Sequence, residues 1–395
     1  MKSSVKWNTD TAHVLTLYKY VLGILGLWVL EEKTIFSRIR WFISTILEMS
    51  ATVTLSLEVI RHCHGYEEAL DAFLSASSSV ISMSKLLLHR INWRHKLILV
   101  KAIIHDWTFV ESPRARDIML EYARRGRLGS LVFLYLGCAS VVFLFAPFVF
   151  ANVDLPRITE KQVYNKSEIK LLLAAYCVFG SYTSFAYAFV VILQALQILV
   201  NCISQCGNDG FFFTLTMHVC GQFEILQMDF AEINNDKSFN RYKLGILLEK
   251  HRRLIFLARY LQQAFSLVIL SQLYMSVILL CVEGFQLIVT LMHDTFAAMK
   301  HVLFIVVLLV QLFLYCFAGQ TLELQSERIA YAIYESSWYD FDTNIMKVMP
   351  LIMLRAAIPH RLTAGKFLAM NFTSFKDLLK ASASYLSVLR VMLET

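Results

Sequence analysis

The chain has 395 residues, of which 57% are hydrophobic and only 17% charged, with a mean hydropathy of +0.55 and a formal net charge of +7. A soluble fold cannot bury that much apolar surface, so a soluble protein is excluded and an all-α polytopic membrane protein is expected. Five Pro and 14 Gly are few for this length and favour long helices over strands, while 29 Phe supply bundle packing and material for apolar ligand pockets.

Residues 1–10 are polar. Residues 14–30 are apolar but carry Lys19, and they fall short of the about 20 residues a membrane helix needs. No small-residue cleavage site follows, so the stretch reads as an interfacial or re-entrant helix and not as a cleaved signal. Spans are expected at 41–60, 66–88, 128–150, 171–200, 261–289 and 296–317. Serines and alanines in the second span (Ser75 to Ser79) permit close helix approach. The charged segment 85–127 is read as non-spanning. After the fourth span, Gly207-Asn208-Asp209-Gly210 looks like a break. The apolar stretch 211–228 beyond it contains His218, Gln222 and Glu224, which favours a projection of the fourth helix beyond the membrane over an extra span. Residues 320–361 form a polar, amphipathic segment with an apolar patch at 346–354, and the closing helix is expected to begin at Ala364.

That last helix is long enough to cross a bilayer but is not uniformly apolar. Thr373, Asp377, Lys380, Ser384, Val388 and Val391 step by three or four and share one face. A polar stripe on a membrane helix faces protein or water. On the stripe alone, a seam buried in a bundle is slightly preferred over the lining of a pore.

The eight cysteines (63, 138, 177, 202, 206, 220, 281 and 316) lie mostly in apolar runs and read as free buried thiols. His62, Cys63 and His64 alternate in a short turn and bind metal poorly without further ligands. No metal or other cofactor is expected. There is no nucleophile elbow, Gly-rich phosphate loop or HExxH motif, so no catalytic residue is assigned and no enzyme is expected.

About three-quarters of the 37 Lys and Arg residues lie before residue 41 or in 85–127, 237–259 and 328–366, alternate loops of a seven-span chain. This bias puts the N-terminus in the cytosol and the C-terminus outside, inverted relative to G-protein-coupled receptors. Topology accounts for the positive charge, and no nucleic-acid partner is expected. The sequon Asn165-Lys166-Ser167 then lies outside and is a glycosylation candidate, whereas Asn371-Phe372-Thr373 in the last helix is a chance match. No internal repeat or paired broken helices point to a transporter.

Three local motifs carry a family resemblance. They are His218-Val219-Cys220-Gly221-Gln222-Phe223-Glu224-Ile225-Leu226, Leu362-Thr363-Ala364-Gly365-Lys366-Phe367, and Ser384-Tyr385-Leu386-Ser387-Val388-Leu389-Arg390. With their order and spacing, the chain resembles the insect odorant receptor family nearly end to end, the first motif in the style of ants, bees and wasps. The resemblance implies an odorant-gated, non-selective cation channel of four subunits. A tuning subunit binds a small volatile odorant and assembles with the odorant co-receptor in the plasma membrane of olfactory neuron dendrites, among membrane lipids and permeant cations. The co-receptor carries an insertion between spans four and five; that region is short here, which implies a tuning receptor.

The implied division is a cytosolic N-terminal region (1–40), six spans with an outer-half ligand pocket (41–317), a cytosolic anchor for subunit contacts (318–363) and a pore-lining seventh helix (364–395). By the Ser-Tyr motif, Val388 falls at the family's hydrophobic gate, Ser384 and Val391 one turn either side, and Tyr385 is the motif aromatic. Mapped by depth, the implied odorant pocket takes Phe73 and Ser77, Phe143 and Phe148, Tyr176, Phe179 and Tyr182, Tyr274 and Val277, and Phe304 and Leu308. A gustatory-receptor-like ligand-gated channel is the alternative. That family ends in Thr-Tyr, five residues, Gln-Phe, and here Ser384-Tyr385 is followed by Val391-Met392 at the corresponding places.

Overall fold

In a bilayer the backbone must satisfy its own hydrogen bonds, so long apolar runs become helices. The computed structural model describes residues 7, 9–31, 34–61, 66–150, 163–164, 171–175, 182–233, 240–291 and 293–394, with backbone alone at 66–67, 147–150, 163–164, 182–184 and 389–394. The helices are α1 (Thr9–Ile24), α2 (Ile35–Arg61), α3 (Tyr66–Ile91), α4 (Trp93–Phe109), α5 (Pro113–Phe150), α6 (Ser184–Glu232), α7 (Arg241–Thr290), α8 (Thr295–Tyr334), α9 (Thr343–Met346), α10 (Met349–Ala356) and α11 (Phe372–Glu394). Two short antiparallel pairs join them: β1 (Val163–Tyr164) with β2 (Tyr182–Thr183), and β3 (Thr363–Ala364) with β4 (Leu368–Ala369). Among the described residues, five helices are long and apolar enough to cross a membrane: Ile35–Arg61, Pro113–Ala146, Phe185–Glu232, Arg241–Thr290 and Thr295–Tyr334. Serines and charges make α3 and α11 more polar.

The central helix is α6, which packs along α5 and against α1, α2, α3, α7 and α8. The apolar stretch after residue 210 lies in the main core: Phe211, Phe212 and Phe213 are all buried, and the Phe212 ring stacks on Tyr315 at 4.7 Å. The short helix α1 packs against α6 and α4 through Val14, Leu15, Tyr18 and Leu22.

Three expectations are corrected. First, residues 207–210 do not break the helix; α6 runs through them. The glycines mark close approaches: a Cβ on Gly207 would lie 2.8 Å from Val21, and one on Gly210 would lie 3.1 Å from Ser130. Asn208 and Asp209 face buried partners on α3, His89 and Lys85. Second, helix does not begin at residue 171. Residues 171–175 form an irregular buried segment, and α6 starts at Ser184. The Gln194 side chain accepts from the Leu173 N–H (3.2 Å) and donates to its carbonyl (3.0 Å), doing for that backbone what a helix ladder would do. Third, the closing helix does not begin at Ala364. A tight β3–β4 turn precedes it, with Gly365 at φ +55° and Lys366 at φ 69°, and Asn371 caps α11 by accepting from the Ser374 N–H at 2.9 Å. At Gly365 any Cβ would also press on Leu270 at 2.6 Å. Gly365→Val is therefore expected to destabilise the fold by about 1–3 kcal/mol, read as a lower unfolding midpoint of the detergent-solubilised protein.

The polar residues of the 218–226 stretch meet polar partners. Asp106 of α4 binds His218 Nε2 at 3.1 Å and Arg253 at 2.6 Å. Burial works against the Asp106 carboxylate, but His218 and Arg253 outweigh it and hold its pKa below the usual value. Tyr122 donates to Glu224 at 2.6 Å, and Gln325 donates to Tyr122 at 2.9 Å. Among the described cysteines none is paired; Cys220, Cys281 and Cys316 are buried, Cys202 and Cys206 half-buried, and Cys138 exposed.

Candidate ligand cavity and last-helix face

Residues of α3, α5, α6, α7 and α8, with 171–174, line a cavity of about 380 Å³. Its walls are mainly apolar, with Leu74, Leu136, Leu279, Val307, Phe304 and Leu308 among them. Such a space binds small apolar molecules through buried area and shape.

The two ends are polar. At one, Lys300 pairs with Asp71 at 2.8 Å, and Glu283 meets His301 at 2.7 Å. The other end lies eleven residues along α8 from Lys300, at Gln311. There the Lys85 ammonium, fully buried, pairs with Asp209 at 2.6 Å and also donates to Gln205. Asp209 further accepts from the Tyr315 hydroxyl at 2.7 Å and from the Gln311 amide. Gln311 Oε1 in turn accepts from Gln272 Nε2 at 2.9 Å. A buried ion pair is tolerated only when its remaining hydrogen-bonding sites are filled, and this network fills them from α6 and α8.

Of the pocket residues expected from sequence, Phe304 and Leu308 line the cavity. Phe73 is half-buried and Ser77 buried, but α3 reaches the cavity through their neighbours Leu74, Ser75 and Ser78. Phe143 stacks on Phe296 at 4.8 Å and is not in the wall. Tyr274 is exposed and Val277 half-buried; α7 lines the cavity with Gln272, Leu279 and Glu283 instead. For Phe148 and Tyr182 only the backbone is described, and Tyr176, Phe179 and Asn165 lie outside the described residues. Sequence reasoning missed Lys85, Asp209, Gln272, Gln311 and Tyr315. The available signal was polar and charged groups inside apolar helices, which are functional candidates by default.

On α11 one face is seated. Phe375 and Leu378 pack on the core, Ser382 is buried with its carbonyl 3.5 Å from Cys281, and Leu386 lies where Gly284 of α7 leaves room. The opposite face is the polar stripe: Thr373, Asp377, Lys380, Ser384 and Val388 are all exposed, as is Tyr385. For Val391 only the backbone is described. The seam reading, in which neighbouring helices of the same chain satisfy this stripe, is therefore corrected: α7 and α8 take the other face.

The family model described as 7tm odorant receptor matches residues 65–383, which include every helix around the cavity and the first half of α11. The chain belongs to that family. Similar proteins include Odorant receptor 22c of Drosophila melanogaster, 24% identical over 365 residues and 84% of each chain. Odorant receptor Or2 of Anopheles gambiae is 28% identical over 291 residues, covering 70% of this chain and 71% of that one. Among solved structures, the olfactory receptor OR5 of Machilis hrabei in complex with eugenol matches with a TM-score of 0.79, covering 97% of this chain and 100% of that one at 15% identity. That likeness bears on the fold, an all-helical one. Members of the family are ligand-gated channels, so the chain is a receptor and not an enzyme.

Proposed function

We propose that this receptor is the tuning subunit of an odorant-gated, non-selective cation channel. It binds a small volatile odorant in the cavity between α3 and α5–α8, and it assembles with the odorant co-receptor into a heterotetramer. The reading places seven spans (α2, α3, α5, α6, α7, α8 and α11) in the plasma membrane of an olfactory neuron dendrite, with the N-terminus in the cytosol and the C-terminus outside. The observation that carries it is α11: its apolar face is seated on its own chain while the stripe from Thr373 to Val388 faces away. One such helix cannot enclose water, so the stripe becomes a pore only when several subunits contribute one each. Exposed apolar residues on and beside α10 (Leu351, Leu354 and Ile358) suit the anchor between subunits. Odorant gates the pore to the extent that it binds the open arrangement better than the closed one.

Voltage-clamp recording with and without the co-receptor, against an odorant panel, tests this. Odorant-evoked cation current is expected in the paired condition. Absence of current there, with both subunits at the surface, counts against the channel reading. Tags on both termini in intact cells test the topology, and an external N-terminus overturns it.

A further inference from the structure

The polar end of the cavity has a direction built into it. The Asp209 carboxylate is paired with the Lys85 ammonium at 2.6 Å, and as a carboxylate it accepts hydrogen bonds. Gln311 must therefore turn its NH2 group toward Asp209, which leaves its carbonyl oxygen facing Gln272. Gln272 must then turn its own NH2 group toward that oxygen, at 2.9 Å, with Ser276 Oγ at 3.2 Å as a second acceptor. The relay ends on Gln272 Oε1, which is buried and has no hydrogen-bond partner. Gln272 is 3% exposed and forms part of the cavity wall.

The other amide groups of the wall each make a bond to a neighbour. Gln197 donates to Ser50 Oγ at 2.9 Å, Asn201 to Glu48 at 3.4 Å, and Gln205 to the Ser78 carbonyl at 3.3 Å. At the opposite end Lys300 is held by Asp71. The wall thus has a buried acceptor at Gln272 that no neighbouring group fills. A buried carbonyl without a partner is costly, and a ligand that satisfies it gains what the empty site lacks. The terminal torsion of a glutamine is soft, which lets the amide adjust to a ligand.

We propose that the cavity selects odorants carrying a hydrogen-bond donor, alcohols or phenols, over ethers of the same size, because Gln272 Oε1 accepts the ligand hydroxyl. This rests on the odorant-binding reading of the cavity.

The test uses isomer pairs, in which buried area and atom count are matched: n-heptanol against methyl hexyl ether, and para-cresol against anisole. Each is applied to cells expressing the receptor with the co-receptor, and half-maximal concentrations are compared. One hydrogen bond to an otherwise unpaired acceptor corresponds to about tenfold in potency, so the hydroxyl isomer of each responding pair is expected to act at about one-tenth the ether concentration. Gln272→Met combined with Gln311→Met, which also removes the Gln311 carbonyl that Gln272→Met alone would strand, is expected to shrink that ratio to within about twofold, with cell-surface abundance showing that the variant folds. Equal potency of the isomers in the unmodified receptor overturns the donor preference and leaves the channel reading standing. An unchanged hydroxyl preference in that double variant assigns the donor site elsewhere and overturns the role of Gln272. Silence to every member of both pairs and to a wider panel overturns the odorant-gated reading, and the donor preference with it.

Discussion

Replacing Val388 with Asn is expected to produce odorant-independent current, or a changed ion preference, in cells expressing the receptor with the co-receptor. Val388 is 58% exposed on the outward face of α11, one turn beyond Ser384, which is exposed on the same face. In an assembly with this face inward, a ring of small branched apolar side chains closes the pore by excluding water. An amide there holds water in the constriction. A bias of about 1–2 kcal/mol toward the wet pore multiplies the open-to-closed ratio by about 5–30. Val388→Ile preserves the apolar ring and is expected to remain silent without odorant. An unchanged basal current and ion preference in Val388→Asn, with normal surface expression, removes this residue from the gate.

The second large effect concerns folding. Asp209→Leu is expected to destabilise the receptor by about 3–5 kcal/mol, because it strands the fully buried Lys85 ammonium without its counter-charge. Thermal unfolding of the detergent-solubilised protein, together with cell-surface abundance, reads this out. The double variant Lys85→Met with Asp209→Leu is expected to regain part of the loss. It removes the stranded charge; the Tyr315 hydroxyl and Gln311 amide then lack their acceptor, and Gln205 its donor. If Asp209→Leu is as stable as the unmodified receptor, the pair is not the anchor of the cavity floor.

These two predictions draw on different kinds of information. The Val388 position followed from the family resemblance carried by the Ser384-Tyr385 motif, which is read from one local stretch. The Lys85–Asp209 pair joins residues 124 positions apart, and no periodicity relates them. Read along the chain, Asp209 between two glycines looked like part of a turn. In three dimensions the glycines admit α1 and α5, and the carboxylate is the acceptor that orders a buried network.

The rotation of each helix about its own axis was legible only in part. On α8 the expected cavity residues Phe304 and Leu308 do line the wall, whereas on α3 the wall falls to Leu74, Ser75 and Ser78, beside the expected Phe73 and Ser77. One residue along a helix is a turn of about 100°, so a depth estimate without neighbours selects the right level and the wrong face.

By itself, the sequence located most helices and pointed to a membrane protein, because apolar length and charge spacing are properties of a continuous stretch, and its local motifs carried the resemblance to odorant receptors. Only the tertiary structure decided which way each helix faces, that residues 171–175 and the 363–369 hairpin are not helical, and that Lys85, Asp209, Gln311 and Gln272 form one directed relay. Those outcomes depend on partners brought in from distant parts of the chain, where a buried polar group must find its complement or the fold does not close around it.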